Sequence, residues 1–217
     1  MKVKKLSILL LFAITLSYLQ CNASERKEPG QQEGKPNILF CFADDWGYYA
    51  SCFADPEVPG VNDCFHTPAM DQLAEEGVSF NHAYVNVPSC TPSRAAVATG
   101  CYFWRAGESA LMGARGNWEG VDDPRQELPG FGKLLQERGY HLGRTYKTLI
   151  SLWFPGKVYQ DHGREFCDYS QTVEAAPSLE EGHEMLKQEV LANFREFLND
   201  REEGQPFCYV WGPHNPH

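Results

Sequence analysis

Apolar residues fall in short blocks along the chain, separated by polar segments punctuated with Gly and Pro, and the blocks switch between strand-like and helix-like spacing. Asn37 to Ala43 (N-I-L-F-C-F-A) is nearly all apolar. That suits a central strand buried on both faces of a parallel sheet. Val78 to Val87, Tyr140 to Lys147 and Phe207 to Trp211 are further strand candidates. Helical patterns lie between them. Thr67-Pro68 opens one, with Met70, Leu73 and Ala74 on one face and Gly77 at its end. Leu128 to Arg138 forms a short amphipathic one, with Phe131, Leu134 and Leu135 inward and Gly139 as the stop. Ser178 and Glu181 make a capping box for a long helix whose Leu186, Val190, Phe194 and Phe197 recur at helical spacing. Tyr48 to Phe65 reads as a loop at the mouth of a cleft. Strands alternating with helices predict an α/β fold around a mostly parallel sheet.

Composition narrows this picture. A chain of 217 residues has room for one substantial domain, and 42% hydrophobic with 13% aromatic residues suits a packed core. The formal net charge is −10, which argues against general nucleic-acid binding. An anionic substrate must then be held by a local cluster or a metal ion. Residues 1–23 read as a signal peptide: Lys2, Lys4 and Lys5 precede an apolar run from Leu6 to Leu19 that is short for a membrane span, and Cys21-Asn22-Ala23 supplies a cleavage site. The expected location is secreted or periplasmic. Lipidation at Cys21 is the rival, although Tyr18-Leu19-Gln20 is a weak lipobox. Residues 24–36 follow as a flexible linker. Of the cysteines after the leader, Cys52 and Cys64 flank a Pro/Gly/Asp-rich loop and are the best candidates for a bridge. Cys41 and Cys208 sit in strands and are expected to be buried thiols. No C-x-x-C pair supports a zinc ribbon or a thioredoxin-type site.

The candidate chemistry concentrates in two places. Cys90-Thr91-Pro92-Ser93-Arg94-Ala95-Ala96-Val97-Ala98-Thr99-Gly100 reads as a short helix, with Thr91 as cap, Pro92 at the first position and Gly100 as a left-handed stop. Cys90 then lies just before the positive end of the helix, and Arg94 adds a fixed charge one turn on. A nucleophile beside an anion site is the natural reading. Asp44 and Asp45 follow the first apolar block directly. Adjacent carboxylates at a strand end repel unless something positive lies between them, and a hard divalent cation resolves that conflict. A solvated D-D-x-G turn is the plain alternative.

These two stretches resemble the signature of the type I, formylglycine-dependent sulfatases of the alkaline-phosphatase superfamily. The shared features are C-x-P-S-R with Thr99-Gly100 after it, D-D-x-G at Asp44–Gly47, and the run from Thr67 to Val85 between them. The resemblance implies an alkaline-phosphatase-like sheet with helices on both faces, and residues 37–217 as the N-terminal part of the catalytic domain. It also implies Cys90 oxidised to formylglycine by a formylglycine-generating or anaerobic sulfatase-maturing enzyme. Asp44, Asp45 and the modified Cys90 would hold Ca²⁺, with Mg²⁺ as the alternative, while Arg94 would hold the hydrate. The implied activity is release of sulfate from a sulfated carbohydrate or other small sulfate ester, or from a sulfamate. The run G-C-Y-F-W-R at 100–105 points towards bacterial heparan N-sulfatase-like members.

The segment from Gly139 to Leu149 resembles the second family signature, G-Y-x-T-x-x-x-G-K-x-H. Gly139, Tyr140 and Lys147 match, whereas Leu142, Tyr146 and Leu149 replace Thr, Gly and His. Lys147 is the implied sulfate-contacting lysine. The end of the chain resembles an x-P-H-x-P turn, which His217 fits best and His214 second. Asp161-His162-Gly163 looks like a later metal motif but comes too early to be one. Arg105 and Arg115 carry no assigned role. The resemblance reaches only the first half of a typical member, so a truncated or partial sequence is expected. Two other functions stay open: a phosphonate or phosphodiester hydrolase of the same superfamily, and a non-catalytic anion- or glycan-binding remnant.

Overall fold

The computed structural model describes residues 34–110, 128–147, 153–160 and 169–213. The leader, Arg115, Leu149, Asp161-His162-Gly163, Cys167, His214 and His217 lie outside the described residues. Four strands form one sheet: β1 (Ile38–Cys41), β2 (His141–Tyr146), β3 (Lys157–Val158) and β4 (Phe207–Gly212). Their order is β1-β4-β2-β3, and every pairing is parallel. The protein is therefore α/β, as the alternating blocks predict. The helices are α1 (Pro68–Glu76), α2 (Cys90–Thr99), α3 (Phe131–Glu137), α4 (Tyr169–Ala175) and α5 (Leu179–Asn199), with short 3-10 turns at Ser51–Phe53, Val61–Cys64 and Phe103–Ala110.

Successive residues of a strand point to opposite faces, and β4 divides the core accordingly. Cys208 and Val210 join Leu142, Trp153, Phe154 and the α2 alanines Ala95 and Ala98 in one cluster. Tyr209 turns the other way and packs with Tyr159 and Phe197 of α5. Helix α5 starts where the capping pattern places it, with the Glu181 N–H donating to Ser178 Oγ at 3.2 Å. Leu186 and Phe197 are buried as its periodicity requires.

Three expectations are corrected. Among the described residues the first apolar block forms an outer strand and not a central one: β1 pairs with β4 alone, with Ile38 and Phe40 packed inward while Leu39 is 56% exposed and Cys41, expected to be buried, is exposed. Parallel strands buried on both faces and one-sided edge strands can carry the same apolar run, so composition does not separate them. Val78–Val87 contains no strand; Val78, Phe80, Tyr84 and Val85 lie exposed, and no described strand runs beside them to take their hydrogen bonds. Cys52 and Cys64 are free thiols, each within a 3-10 turn, where the loop is held instead by Ser51 Oγ donating to Asp71 and by Asn62.

The contact between α5 and the sheet depends on a residue too small to keep them apart. A Cβ on Gly143 would lie 2.3 Å from the Phe197 ring and 2.9 Å from that of Tyr159. Gly143→Ala is expected to cost about 1–3 kcal/mol in urea unfolding, the usual range for overpacking. A change within ±0.5 kcal/mol would show that the helix is not packed this closely. On the opposite face burial pushes the Cys208 thiol up to about 12, so at pH 8 iodoacetamide should alkylate exposed Cys64 and spare Cys208 until the protein is denatured.

Candidate active site

Parallel strands deliver their carboxyl ends to one side of a sheet, where α/β proteins gather ligand-binding loops. Here β1 leads into Asp44 and Asp45, and β2 leads into Lys147. β4 lies between these two strands and ties both extensions down. Phe42 N–H donates to Trp211 O at 2.9 Å, and Lys147 N–H donates to Gly212 O at 2.9 Å. Helix α2 brings Cys90 and Arg94 to the same edge. Its small residues Ala95 and Ala98 let it sit directly on the sheet.

The helix differs by one turn of detail from its sequence reading. Ser89, in an extended conformation, is the N-cap, so Cys90 opens the helix and Thr91 lies inside it. Pro92 is tolerated as the third residue because first-turn N–H groups have no helical acceptor. Gly100 ends the helix at φ 67°, as the pattern predicts, and its N–H donates to Ala96 O.

Asp44, Asp45, Cys90 and Arg94 line one cavity of about 260 Å³, together with Phe42 and Trp46. Asp44 is 7% exposed and Arg94 3%. Arg94 Nη2 donates to Asp44 Oδ1 at 2.9 Å, and Lys147 Nζ pairs with Asp44 Oδ2. Arg94 Nη1 also donates to the backbone carbonyl of Lys147 at 2.7 Å, and its guanidinium lies 4.9 Å from the centroid of the Phe42 ring. Arg94 thus joins α2 to the ends of both β1 and β2. Its planar fork suits two oxygens in different directions, which a lysine could not reach together.

Burial would raise the Asp44 carboxyl, but hydrogen bonds and charge from Lys147 and Arg94 outweigh it and hold the group below its ordinary value. Two non-glycine residues among those described have left-handed backbones: Asp45 at φ 54° and Tyr146 at φ 64°. Each adjoins one member of the Asp44–Lys147 pair. Such conformations cost on the order of 1–3 kcal/mol and persist where surroundings impose them, as they do at functional sites.

The sequence-predicted residues Asp44, Asp45, Cys90, Arg94 and Lys147 therefore gather at one sheet edge, whereas His217 lies outside the described residues. Oxygen donors on adjacent aspartates fit a hard divalent cation. Among the described residues no group of three or more His, Cys, Asp or Glu side chains is arranged to hold one. Sequence reasoning missed Phe42, the aromatic face beside Arg94, and the left-handed turn at Tyr146. Its one signal for Tyr146 was a bulky residue at a glycine position.

The chain matches the Sulfatase family over residues 36–217, and it belongs to that family. An N-acetylgalactosamine-6-O-sulfatase of Bacteroides thetaiotaomicron is 37% identical over 61% of this chain and 24% of its own length. Arylsulfatase D of Homo sapiens is 39% identical over 56% of the chain and 19% of its own length. Steryl-sulfatase of Rattus norvegicus is 34% identical over 73% of the chain and 25% of its own length. The chain thus spans about a quarter of the length of these relatives. Family membership brings the alkaline-phosphatase-like fold with it.

The ion triad makes a prediction about acid. A depressed carboxyl stabilises the fold above its ordinary pKa near ~4, and the contribution is lost as pH falls through the lowered folded value. With a chelator present, Asp44→Asn should cost about 3–5 kcal/mol at pH 7, because buried Arg94 and half-buried Lys147 lose their counter-ion. The gap between wild type and variant should narrow below pH ~4. A gap that stayed constant with pH would contradict the assignment.

Proposed function

We propose that this chain carries the nucleophile-bearing part of a sulfuric ester hydrolase that releases sulfate from a sulfated carbohydrate. The observation behind this reading is the shared cavity of Asp44, Asp45, Cys90 and Arg94, with Lys147 paired to Asp44 at its edge. Relatives named as sulfatases support the reaction class, and those named for N-acetylgalactosamine and N-acetylglucosamine support an amino-sugar substrate. These names describe O-sulfatases, which favours an ester over a sulfamate.

Asp44 and Asp45 would hold Ca²⁺ or Mg²⁺. The cation would polarise the sulfate, and formylglycine made from Cys90 would supply the attacking hydrate oxygen. The remaining work belongs to the chain itself. Cys90 stands at the first position of α2, where the helix dipole adds about 0.3–1 kcal/mol for negative charge at an exposed site. Fixed side-chain cations in a half-buried cavity act more strongly than that. Arg94 is locked by its bonds to Asp44 and the Lys147 carbonyl, so its charge needs no reorganisation as negative charge develops. Lys147, more exposed than Arg94, neutralises the transferring group. His217 is proposed as a further substrate contact. A maturing enzyme that oxidises Cys90, and export of the protein, are part of the same proposal.

The test combines mass and rate. Co-expression with a formylglycine-generating enzyme should lower the mass of the Cys90 peptide by about 18 Da. Hydrolysis of an aryl sulfate should accompany the modification, and Cys90→Ala should remove at least about 10³-fold of the rate. An unmodified thiol, or faster turnover of the matched aryl phosphonate, would overturn the reading.

A further inference from the structure

We propose that Tyr146 is a positioning residue. Its left-handed backbone turns the chain so that Lys147 meets Asp44, and its hydroxyl, bonded to Glu189 and Asn193 of α5, keeps that turn from relaxing. The proposal rests on the role given to Lys147 above.

Pleat parity assigns Tyr146 to the α2 face of the sheet with Leu142, while Gly143 and Thr145 face α5. Gly143 sits against Phe197, and Thr145 pairs with the Tyr209 hydroxyl and donates to Tyr159 O at 2.9 Å. Tyr146 breaks the alternation. At φ 64° its side chain goes to α5, the same side as Thr145, and is 7% exposed. Its hydroxyl donates to Glu189 Oε1 at 2.8 Å and accepts from Asn193 Nδ2 at 3.4 Å, and Asn193 is fully buried. The next residue, Lys147, then points away from α5 to Asp44, with its carbonyl held by Arg94. A bulky residue at positive φ is costly, and only strong anchoring makes it persist. Glycine, which the second signature carries here, would make the same turn without a hold. In this chain the turn is latched to a helix on the opposite face of the sheet.

The experiment measures the reactivity of Lys147 in the full chain by acetylation with an N-hydroxysuccinimide ester and peptide mass spectrometry, using exposed Lys187 as the internal reference. Tyr146→Phe removes the latch and keeps the ring. It should raise relative Lys147 labelling about 3- to 10-fold by letting the turn open. Glu189→Leu should do the same, and the double variant should add nothing further. Glu189→Gln keeps an acceptor oxygen and should stay within about twofold of wild type. Tyr146→Gly relieves the backbone but leaves it unlatched, so Lys147 should again be freed. In the matured protein, kcat/KM for an aryl sulfate should fall about 10-fold in Tyr146→Phe and recover in Glu189→Gln.

A lower melting temperature in Tyr146→Phe with unchanged Lys147 labelling would overturn the proposal, leaving Tyr146 as packing only. Released Lys147 in a protein with no sulfatase turnover would support the latch and sink the hydrolase reading, so the two failures are distinguishable.

Discussion

One buried carboxylate organises the carboxyl edge of the sheet in this protein. Asp44 meets the charge of Arg94 on one oxygen and of Lys147 on the other, which ties the end of β1, helix α2 and the end of β2 into a single unit. A lone buried carboxylate would be driven to neutralise, and two lone cations beside it would repel. Together they satisfy one another, and Arg94 closes the loop through the Lys147 carbonyl. The strands supply direction, but this triad decides which side chains face each other.

The triad requires the parallel sheet. Because β1, β4 and β2 run the same way, their carboxyl ends emerge side by side, and β4 holds both neighbouring extensions by backbone hydrogen bonds. Had β1 and β2 run in opposite directions, Asp44 and Lys147 would lie at opposite ends of the sheet. The packing of α2 is equally constraining. Ala95 and Ala98 are fully buried against the sheet, so Arg94 reaches strand ends that a larger neighbour would hold off.

Legibility in the sequence followed the range of the forces involved. Gly100 and the Ser178 cap were read correctly because helix ends are local chemistry. β2, β4 and α5 were read from periodicity, which tertiary packing then respects. The place of β1 in the strand order was not legible, because an apolar run reports burial without naming its neighbours, and among the described strands only β4 pairs with it. Val78–Val87 has strand-forming residues but no described partner, and pairing is what makes a strand. Motifs single out Asp44, Cys90 and Lys147, which the fold brings to one place. No motif marks the partnership of Arg94 with the Lys147 carbonyl, because a backbone acceptor more than fifty positions away leaves no mark on residue type.

The departures from the second signature differ in what they mean once the backbone is known. Leu142 enters the hydrophobic cluster, where Thr would bring a hydroxyl in need of a partner. Tyr146 keeps the left-handed conformation that explains glycine at that position, and replaces glycine's freedom with an anchored side chain. The turn before Lys147 is therefore a property of the fold, and the residue that occupies it sets how firmly the turn is held. Asp45 completes the symmetry, since it too has positive φ beside the buried pair, and aspartate bears that conformation more easily than most residues. Backbone strain on both sides of one ion pair is what a site built by opposing constraints produces: each turn is held open by the pairing, and the pairing is aimed by the turns.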